Sequence, residues 1–218
     1  MQDFTRARSE EQKRQRMQEI KTAAETLFKE HPYHEITLTT IAEQLSWTRA
    51  NLYKYVGTKE EIFLELYADK MHGYFDALQA AFPAGCEYSL PVRAEVWACI
   101  LNAHCDYLHY GTILTTIIET NVSVERLSNF KSQYYRRAKE WNALLGTELN
   151  IPEKKAEILT EEILYDALGL ESACRCTALV EQAMARAGIE RCEVCFKTRM
   201  KEFILMCLQH ATQAPQGE

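Results

Sequence analysis

Residues 46–61 read SWTRANLYKYVGTKEE, and their side chains carry the chemistry of nucleic-acid recognition. Arg49 can donate a bidentate pair to guanine, and Ala50 can touch a thymine methyl. Asn51 can pair with adenine or serve the start of its own helix. Tyr53, Lys54 and Tyr55 offer hydroxyl and ammonium donors that suit phosphate oxygens, the contacts that position a protein on a duplex. Lys59 falls in the first turn of a following helix, where backbone N–H groups also favour an anion. Thr37 and Thr39 stand in the same relation to an earlier helix start.

Such donors read bases only if short helices hold them, and the capping pattern supplies these. Thr37 is placed as an N-cap with Ile36 and Ile41 as its hydrophobic staple. Thr48 repeats the arrangement with Trp47 and Leu52, and Thr58 forms a capping box with Glu61. Three starts this close predict short helices over 37–45 and 48–54 and a longer one from 59. Two short helices joined by a tight turn are the helix-turn-helix unit, whose second helix enters the major groove. Ahead of them, Ser9 and Gln12 form a capping-box pattern. Ile20, Ala23, Ala24, Leu27 and Phe28 then recur on one helical face until His31-Pro32 stops the helix.

The rest of the 218 residues is read as all-α. With 8 Gly and 5 Pro the chain is poor in turn formers, and 47% of it is hydrophobic, enough for a packed core. FPAGCEYSLP (82–91) is the strongest linker candidate. Further helices are expected over 91–109, 112–119, 123–146 and 193–210. A long one should run from Pro152 to the Ala187-Gly188 stop, with Gly169 as its candidate interruption. The first 60 residues carry ten Lys/Arg against nine acids; the remaining 158 carry 15 against 22. A head with local basic clusters therefore precedes an acidic body. No apolar run approaches the roughly 18 residues that span a bilayer, and the N-terminus lacks a signal-peptide pattern. The expectation is a cytoplasmic protein without membrane contact.

Eight cysteines (86, 99, 105, 174, 176, 192, 195 and 207) are expected as free thiols. Cys174-x-Cys176 and Cys192-x2-Cys195 have zinc-like spacing. A hairpin turning at Gly188 would set Cys176 roughly 18 Å from the turn and bring Cys207 towards Cys174, so no metal site and no cofactor is expected. Carboxylate-bridged metal enzymes need two Glu-x-x-His motifs. The nearest forms are Asp69-x-x-His72 and Asp106-x-x-His109. G-x-S-x-G, phosphate-binding Gly loops and H-E-x-x-H are missing too. The chain is read as no enzyme. A helical-bundle enzyme, a helical adaptor that no longer binds DNA, and a thiol- or metal-sensing regulator stand as alternatives.

TTIAEQLSWTRANLYKYVGTKEEIFLEL resembles the N-terminal DNA-binding motif of TetR-family transcriptional regulators. The likeness rests on Ile41-Ala42-Glu43, the Leu45–Thr48 turn, Leu52-Tyr53 and Lys59-Glu60-Glu61. It covers about 50 residues; the remaining chain is similar in length and helical pattern only. Ser46 departs from the Gly usual in the turn, a position that favours a left-handed backbone. Trp47 replaces a smaller apolar residue, Val56 a Phe, and His31-Pro32 a Gly-aromatic start. The resemblance implies a three-helix helix-turn-helix domain (1–58) followed by a helical effector-binding and dimerisation domain (59–218), with the helix over 59–82 connecting them. It implies a homodimer on a palindromic operator in double-stranded DNA, repression as the usual mode, and release by a small-molecule effector. Candidate effector contacts in the middle helices are Trp97, His104, Tyr107, Glu119, Tyr134 and Trp141. A buried Glu119 would need a partner, which a cationic effector could be. The final helix carries more apolar positions than one buried face needs, in keeping with a dimer interface.

Overall fold

The computed structural model describes residues 2–175, 177–190 and 195–213, with side chains from residue 10 onward. Ten α-helices account for almost all of it, and no strand occurs among the described residues. In chain order they are α1 (Gln2–Glu30), α2 (Leu38–Gln44), α3 (Arg49–Leu52), α4 (Lys59–Ala81), α5 (Leu90–Ala103), α6 (Cys105–Ile113), α7 (Val124–Leu149), α8 (Glu153–Cys174), α9 (Ala178–Ala187) and α10 (Phe196–Thr212). A 3-10 turn (Tyr33–Glu35) precedes α2, and a π-helical turn (Leu114–Ile118) follows α6. No described helix is long and apolar enough to cross a membrane.

The chain divides into two compact units. The first is Met1–Asp69 with Ile113–Lys131. Its core is the predicted face of α1 (Ile20, Ala23, Ala24) with Ile36, Ile41, Ala42, Leu52 and Val56, all buried. The second is Lys70–Thr112 with Ser132–Glu218. Its core gathers Trp97, Leu101, Tyr107, Trp141, Ile163, Met200 and Ile204, and α10 packs on α5 and α8.

The caps at Thr37, Thr48 and Thr58 fall where the sequence puts them, whereas the one expected at Ser9 and several helix breaks do not. α1 runs from Gln2, so Ser9 lies inside it rather than starting it. The helix expected over 91–109 is two helices. His104 leaves the helical region at φ −112°, ψ 33°, although its N–H still reaches the Ile100 carbonyl. The 112–119 segment is the end of α6 plus the π-helical turn. Gly169 sits within α8, which ends at Cys174, where Arg175 turns extended; Thr177 caps α9. Gly188, at φ 68°, is the left-handed stop predicted for it.

That break also shifts the pairing of α8 with α10. Cys207 faces Glu162 and Asp166 of α8, which with burial push its thiol up to about 11. It is not beside Cys174, which is instead among the groups acting on Cys105. The hairpin register assumed a turn at Gly188 alone, whereas α9 and its flanks take up the intervening residues. Cys176 and Cys192 lie outside the described residues. Among the described residues no three His, Cys, Asp or Glu side chains converge as metal ligands.

The linker candidate is a loop inside the second unit. Arg93 and Glu148 form a buried pair at 3.0 Å. Glu148 also accepts from the Gly85 N–H at 2.6 Å, and Arg93 donates to the Cys86 carbonyl at 2.9 Å. A buried pair this well bonded fixes the loop, since losing one partner strands the other charge.

Two predictions follow from backbone and burial. Ser46 is held at φ 55° and is exposed. An L-residue there costs about 1–2 kcal/mol, and glycine's greater loss of freedom takes back about 0.5–1. Ser46→Gly should therefore stabilise the chain by up to about 1 kcal/mol in a denaturant titration, while Ser46→Val should destabilise it. The His109 imidazole is pushed down to about 4, first by burial and then by the Arg175 charge. Below about pH 6.5 the unfolded chain takes up this proton while the folded chain refuses it down to about pH 4. Thermal stability should fall as pH drops through that window, and His109→Gln should flatten the slope.

Candidate functional site

The candidate nucleic-acid surface is built on caps. Thr37 Oγ1 accepts the Thr40 N–H at 3.1 Å, and Thr40 Oγ1 accepts the Thr37 N–H at 3.0 Å, a reciprocal box at the start of α2. Thr48 Oγ1 accepts the Asn51 N–H at 3.2 Å and starts α3. Thr58 Oγ1 accepts the Glu61 N–H at 3.2 Å; the Glu61 carboxylate reaches back to the Gly57 N–H at 2.9 Å, one residue beyond the position a capping box uses. Between α2 and α3, Trp47 donates its N–H to the Ala42 carbonyl at 2.8 Å across the left-handed Ser46. The Trp47 indole has two partners: the Tyr55 ring lies tilted 5.8 Å away and the Arg16 guanidinium stands over it at 5.3 Å. The residue that departs from the usual turn is thus a packing centre for it.

α3 itself has four residues, shorter than the 48–54 expected, although backbone bonds from Tyr53, Tyr55 and Val56 continue the coil. Leu52 and Val56 are buried beneath it. Thr48, Arg49, Ala50, Tyr53 and Lys54 are exposed on the outside, as is Thr37, while Thr39 and Asn51 are half-buried. Arg49 lies back along the helix, donating to the Tyr53 hydroxyl at 3.0 Å. Lys54 forms no ion pair with any described residue.

Lys59 is placed differently from the expectation. Its ammonium donates to the Tyr33 carbonyl at 2.9 Å and the Ile36 carbonyl at 2.6 Å, and it stands 4.1 Å from the Tyr33 ring centre. Burial lowers its pKa, against the opposing Glu60 charge. The side chain is a latch on the segment before α2 rather than a free phosphate donor. A second tie escaped the sequence reading. Arg126 of α7 reaches Glu61 at 3.3 Å, Glu65 at 3.5 Å and the Tyr55 carbonyl at 3.5 Å. Lone Arg, Tyr and Glu residues far apart in sequence carry no pattern that predicts such contacts.

The six expected effector contacts do not form one group. Glu119 belongs to the first unit and is ion-paired with Lys131, so the partner foreseen in a cation is a lysine of the chain. Trp97, Tyr107 and Trp141 are core. Trp97 Nε1 donates to the Tyr74 hydroxyl at 2.9 Å, Tyr107 stacks on Tyr74 at 4.9 Å, and Trp97 meets Trp141 edge-on at 5.1 Å. His104 caps the break after α5 and stands edge-on to Tyr74 at 6.2 Å. Tyr134 alone lines a recess. A narrow cleft of about 40 Å³ runs between Tyr74 and Phe75 of α4, Tyr134 and Ala138 of α7, and Thr160 and Leu164 of α8. It adjoins an outer one of about 260 Å³ bordered by Lys139, Glu153 and Glu157. Asn142 lines both; its side chain is buried and accepts from the Thr160 hydroxyl at 2.8 Å. Burial, with neighbouring Tyr165, Tyr135 and Glu161, holds the Tyr134 phenol protonated, its pKa pushed up to about 12.

Comparison with known proteins gives this geometry its setting. Residues 20–66 match the family described as bacterial regulatory proteins, tetR family, and residues 68–213 match the tetracyclin repressor-like C-terminal domain. No curated protein matches significantly. Among solved structures, a TetR/AcrR transcriptional regulator of Thermobifida fusca YX-ER1 is similar at 19% identity and TM-score 0.55, covering 92% of this chain and all of the other. The fatty acid degradation regulator FadR of Bacillus halodurans is similar at 14% identity and TM-score 0.53, over 93% and 97% of the two chains. FadR of Thermus thermophilus, a TetR-family repressor solved with lauroyl-CoA, is similar at 17% identity and TM-score 0.53, over 93% and 99%. At such identities the structures speak for the fold, and the two matched domains, which together span most of the sequence, speak for the family: the chain is a TetR-family transcriptional regulator.

Proposed function

We propose that the chain is a homodimeric repressor that binds a palindromic operator through α3 and is released by a small molecule bound among α4, α7 and α8. The observation that carries the DNA reading is the row of exposed side chains on a capped, apolar-backed turn of helix: the donors Thr48, Arg49, Tyr53 and Lys54 with the Ala50 methyl among them. In this reading Arg49, Ala50 and Asn51 meet base edges. Thr37, Thr39, Thr48, Tyr53, Lys54 and the hydroxyl of Tyr55 take phosphates. Arg49 has only to leave the Tyr53 hydroxyl to reach a base, and an exposed bond of that kind is worth about 1 kcal/mol or less.

The dimer reading is supported by Ile158 and Tyr165, seven residues apart on α8, and Met206 on α10, all large, apolar and exposed. A two-fold dimer would set its α3 helices one turn of DNA apart, about 34–36 Å. The effector reading is supported by the recess at Tyr134, Ala138 and Asn142, where a narrow, mostly apolar cleft with Glu157 and Glu161 in its wall adjoins the outer one of about 260 Å³. The chain is assigned no chemical step of its own and no metal or cofactor, and its place of action is the cytoplasm, where the operator is.

Selection of bound duplexes from a random DNA pool tests the first part. A palindrome should be recovered, and Arg49→Ala should cost about 1–3 kcal/mol on it, up to roughly a hundredfold, and relax the preference at one position per half-site. Recovery of unrelated sequences that Arg49→Ala binds equally well would overturn the reading.

The recess is tested by thermal shift against a library of small apolar and amphipathic compounds. A binder should raise the melting temperature of the wild type by several degrees at saturating concentration. Ala138→Trp, which fills the cleft, should fold and bind operator but lose both that shift and the release from DNA. Release that persists in Ala138→Trp would place the effector elsewhere.

A further inference from the structure

We propose that α1 carries a second nucleic-acid contact, a recess that takes backbone phosphates of the duplex outside the bases read by α3. This rests on the DNA reading above and goes beyond it, because residues 12–16 precede the segment by which the family is matched, which begins at residue 20.

The recess has a volume of about 660 Å³. Gln12, Lys13, Gln15, Arg16 and Glu19 of α1 form one wall, and Lys54 and Tyr55, from the turn after α3, form the other. Three cations thus face one carboxylate, and that carboxylate already takes Arg16 at 2.7 Å. The remaining groups are donors in waiting. The Lys54 ammonium, the Tyr55 hydroxyl and the Gln12 and Gln15 amides make no hydrogen bond to any described residue. Among the described residues Lys13 is engaged only with Glu10, three residues back, at 3.1 Å, and both side chains are more than 60% exposed. Pairs of that kind are worth a few tenths of a kcal/mol, so a phosphate displaces them at little cost.

Position fits the chemistry. Arg16 and Tyr55 both contact the same Trp47 ring, so the recess is continuous with the turn that sets α3. From Gln12 to Glu19, α1 rises about 10 Å, roughly the axial length of three phosphates on one strand. Flexible Lys and Gln side chains on an open wall present charge without a fixed donor pattern. That suits a repeating anion and not a base edge. The ligand class is therefore the phosphodiester backbone flanking the operator core.

The test uses the full-length protein, its selected operator with flanking duplex, and a scrambled duplex of equal length, titrated by fluorescence anisotropy across a chloride series. Lys13→Gln changes an exposed residue and is checked by melting for an intact fold. Its slope of log affinity against log salt should fall by about 0.9 per lost phosphate, about 1.8 for the two subunits of a dimer. Its affinity should fall by the same factor on operator and scrambled DNA, and trimming the flanks should erase its difference from wild type. Arg49→Ala, run in parallel, should instead lose the preference for operator. A Lys13→Gln slope equal to wild type, with Arg49→Ala behaving as stated, overturns the α1 contact and leaves the α3 reading standing. A wild-type slope that disappears when phosphate replaces chloride at equal ionic strength overturns it too, because the recess then takes the free anion. Wild-type protein that binds neither duplex overturns both.

Discussion

A four-residue α-helix cannot hold itself together in water, and α3 is one. Nucleating a helical turn fixes several dihedrals for one hydrogen bond, so isolated helices shorter than about 12–15 residues are marginal even with favourable sequences. Everything that keeps Arg49 and Ala50 on a helical surface is therefore external to α3. Thr48 supplies the cap, Leu52 and Val56 anchor its underside, and the left-handed Ser46 with the Trp47–Ala42 bond sets its angle to α2. The contacts of Arg16 and Tyr55 with Trp47 add to the packing of the turn. Trp47 and Ser46 thus belong together: a large indole gives back in packing part of what a side chain at φ 55° costs.

The same dependence explains why some cations near α3 cannot act on a ligand. Lys59 is absorbed by two carbonyls, where it helps finish the 3-10 turn before α2. Lys54, on the open side of the coil, has no such obligation. Both are lysines in a basic run, and what separates their roles is the presence of accepting carbonyls within reach. In the second unit Tyr74 plays the organising part. Its hydroxyl takes the Trp97 indole N–H, its ring stacks on Tyr107, and its edge borders the recess. Large aromatics that recurred at helical spacing were consumed in building this core, which left Tyr134 and smaller neighbours to line the space.

What was legible in the sequence divides along a physical line. Caps depend on residues three positions apart, so Thr37, Thr48, Thr58 and Gly188 could be placed from type and spacing. The break at His104 and the end of α8 at Cys174 carry no Gly or Pro, so no local pattern marks them. Gly169 shows the converse, a helix breaker tolerated inside α8 at a cost of about 1 kcal/mol. Glu119 was legible as a half-buried carboxylate in need of a cation, but its partner, Lys131, lies twelve residues on in another helix. The resemblance carried the fold of the DNA-binding head because that head is built of local rules, whereas where Trp97, His104, Tyr107, Glu119, Tyr134 and Trp141 come to lie depends on packing.

Two helices contribute to both units, and they bear on how an effector in the recess could act on the head. α7 carries Ala138 and Asn142 at the recess and Arg126 at its other end; α4 carries Tyr74 and Phe75 at the recess and Glu61 and Glu65 against Arg126. Arg126 also bonds the Tyr55 carbonyl, directly behind the residues proposed to face DNA. Its side chain is about one-third exposed and its three contacts are 3.3–3.5 Å long, so each contributes well under the value of a buried ion pair. Together they amount to about 1–2 kcal/mol, which lies within the range typical of coupling between an effector site and a distant ligand site. A stronger clasp, like the buried Arg93–Glu148 pair that fixes the 82–89 loop, would be too costly for a small ligand to undo. Under the proposed function, weak, partly solvated contacts at Arg126 and a rigid clasp at Arg93 meet one requirement, that the head be releasable while the body keeps its shape.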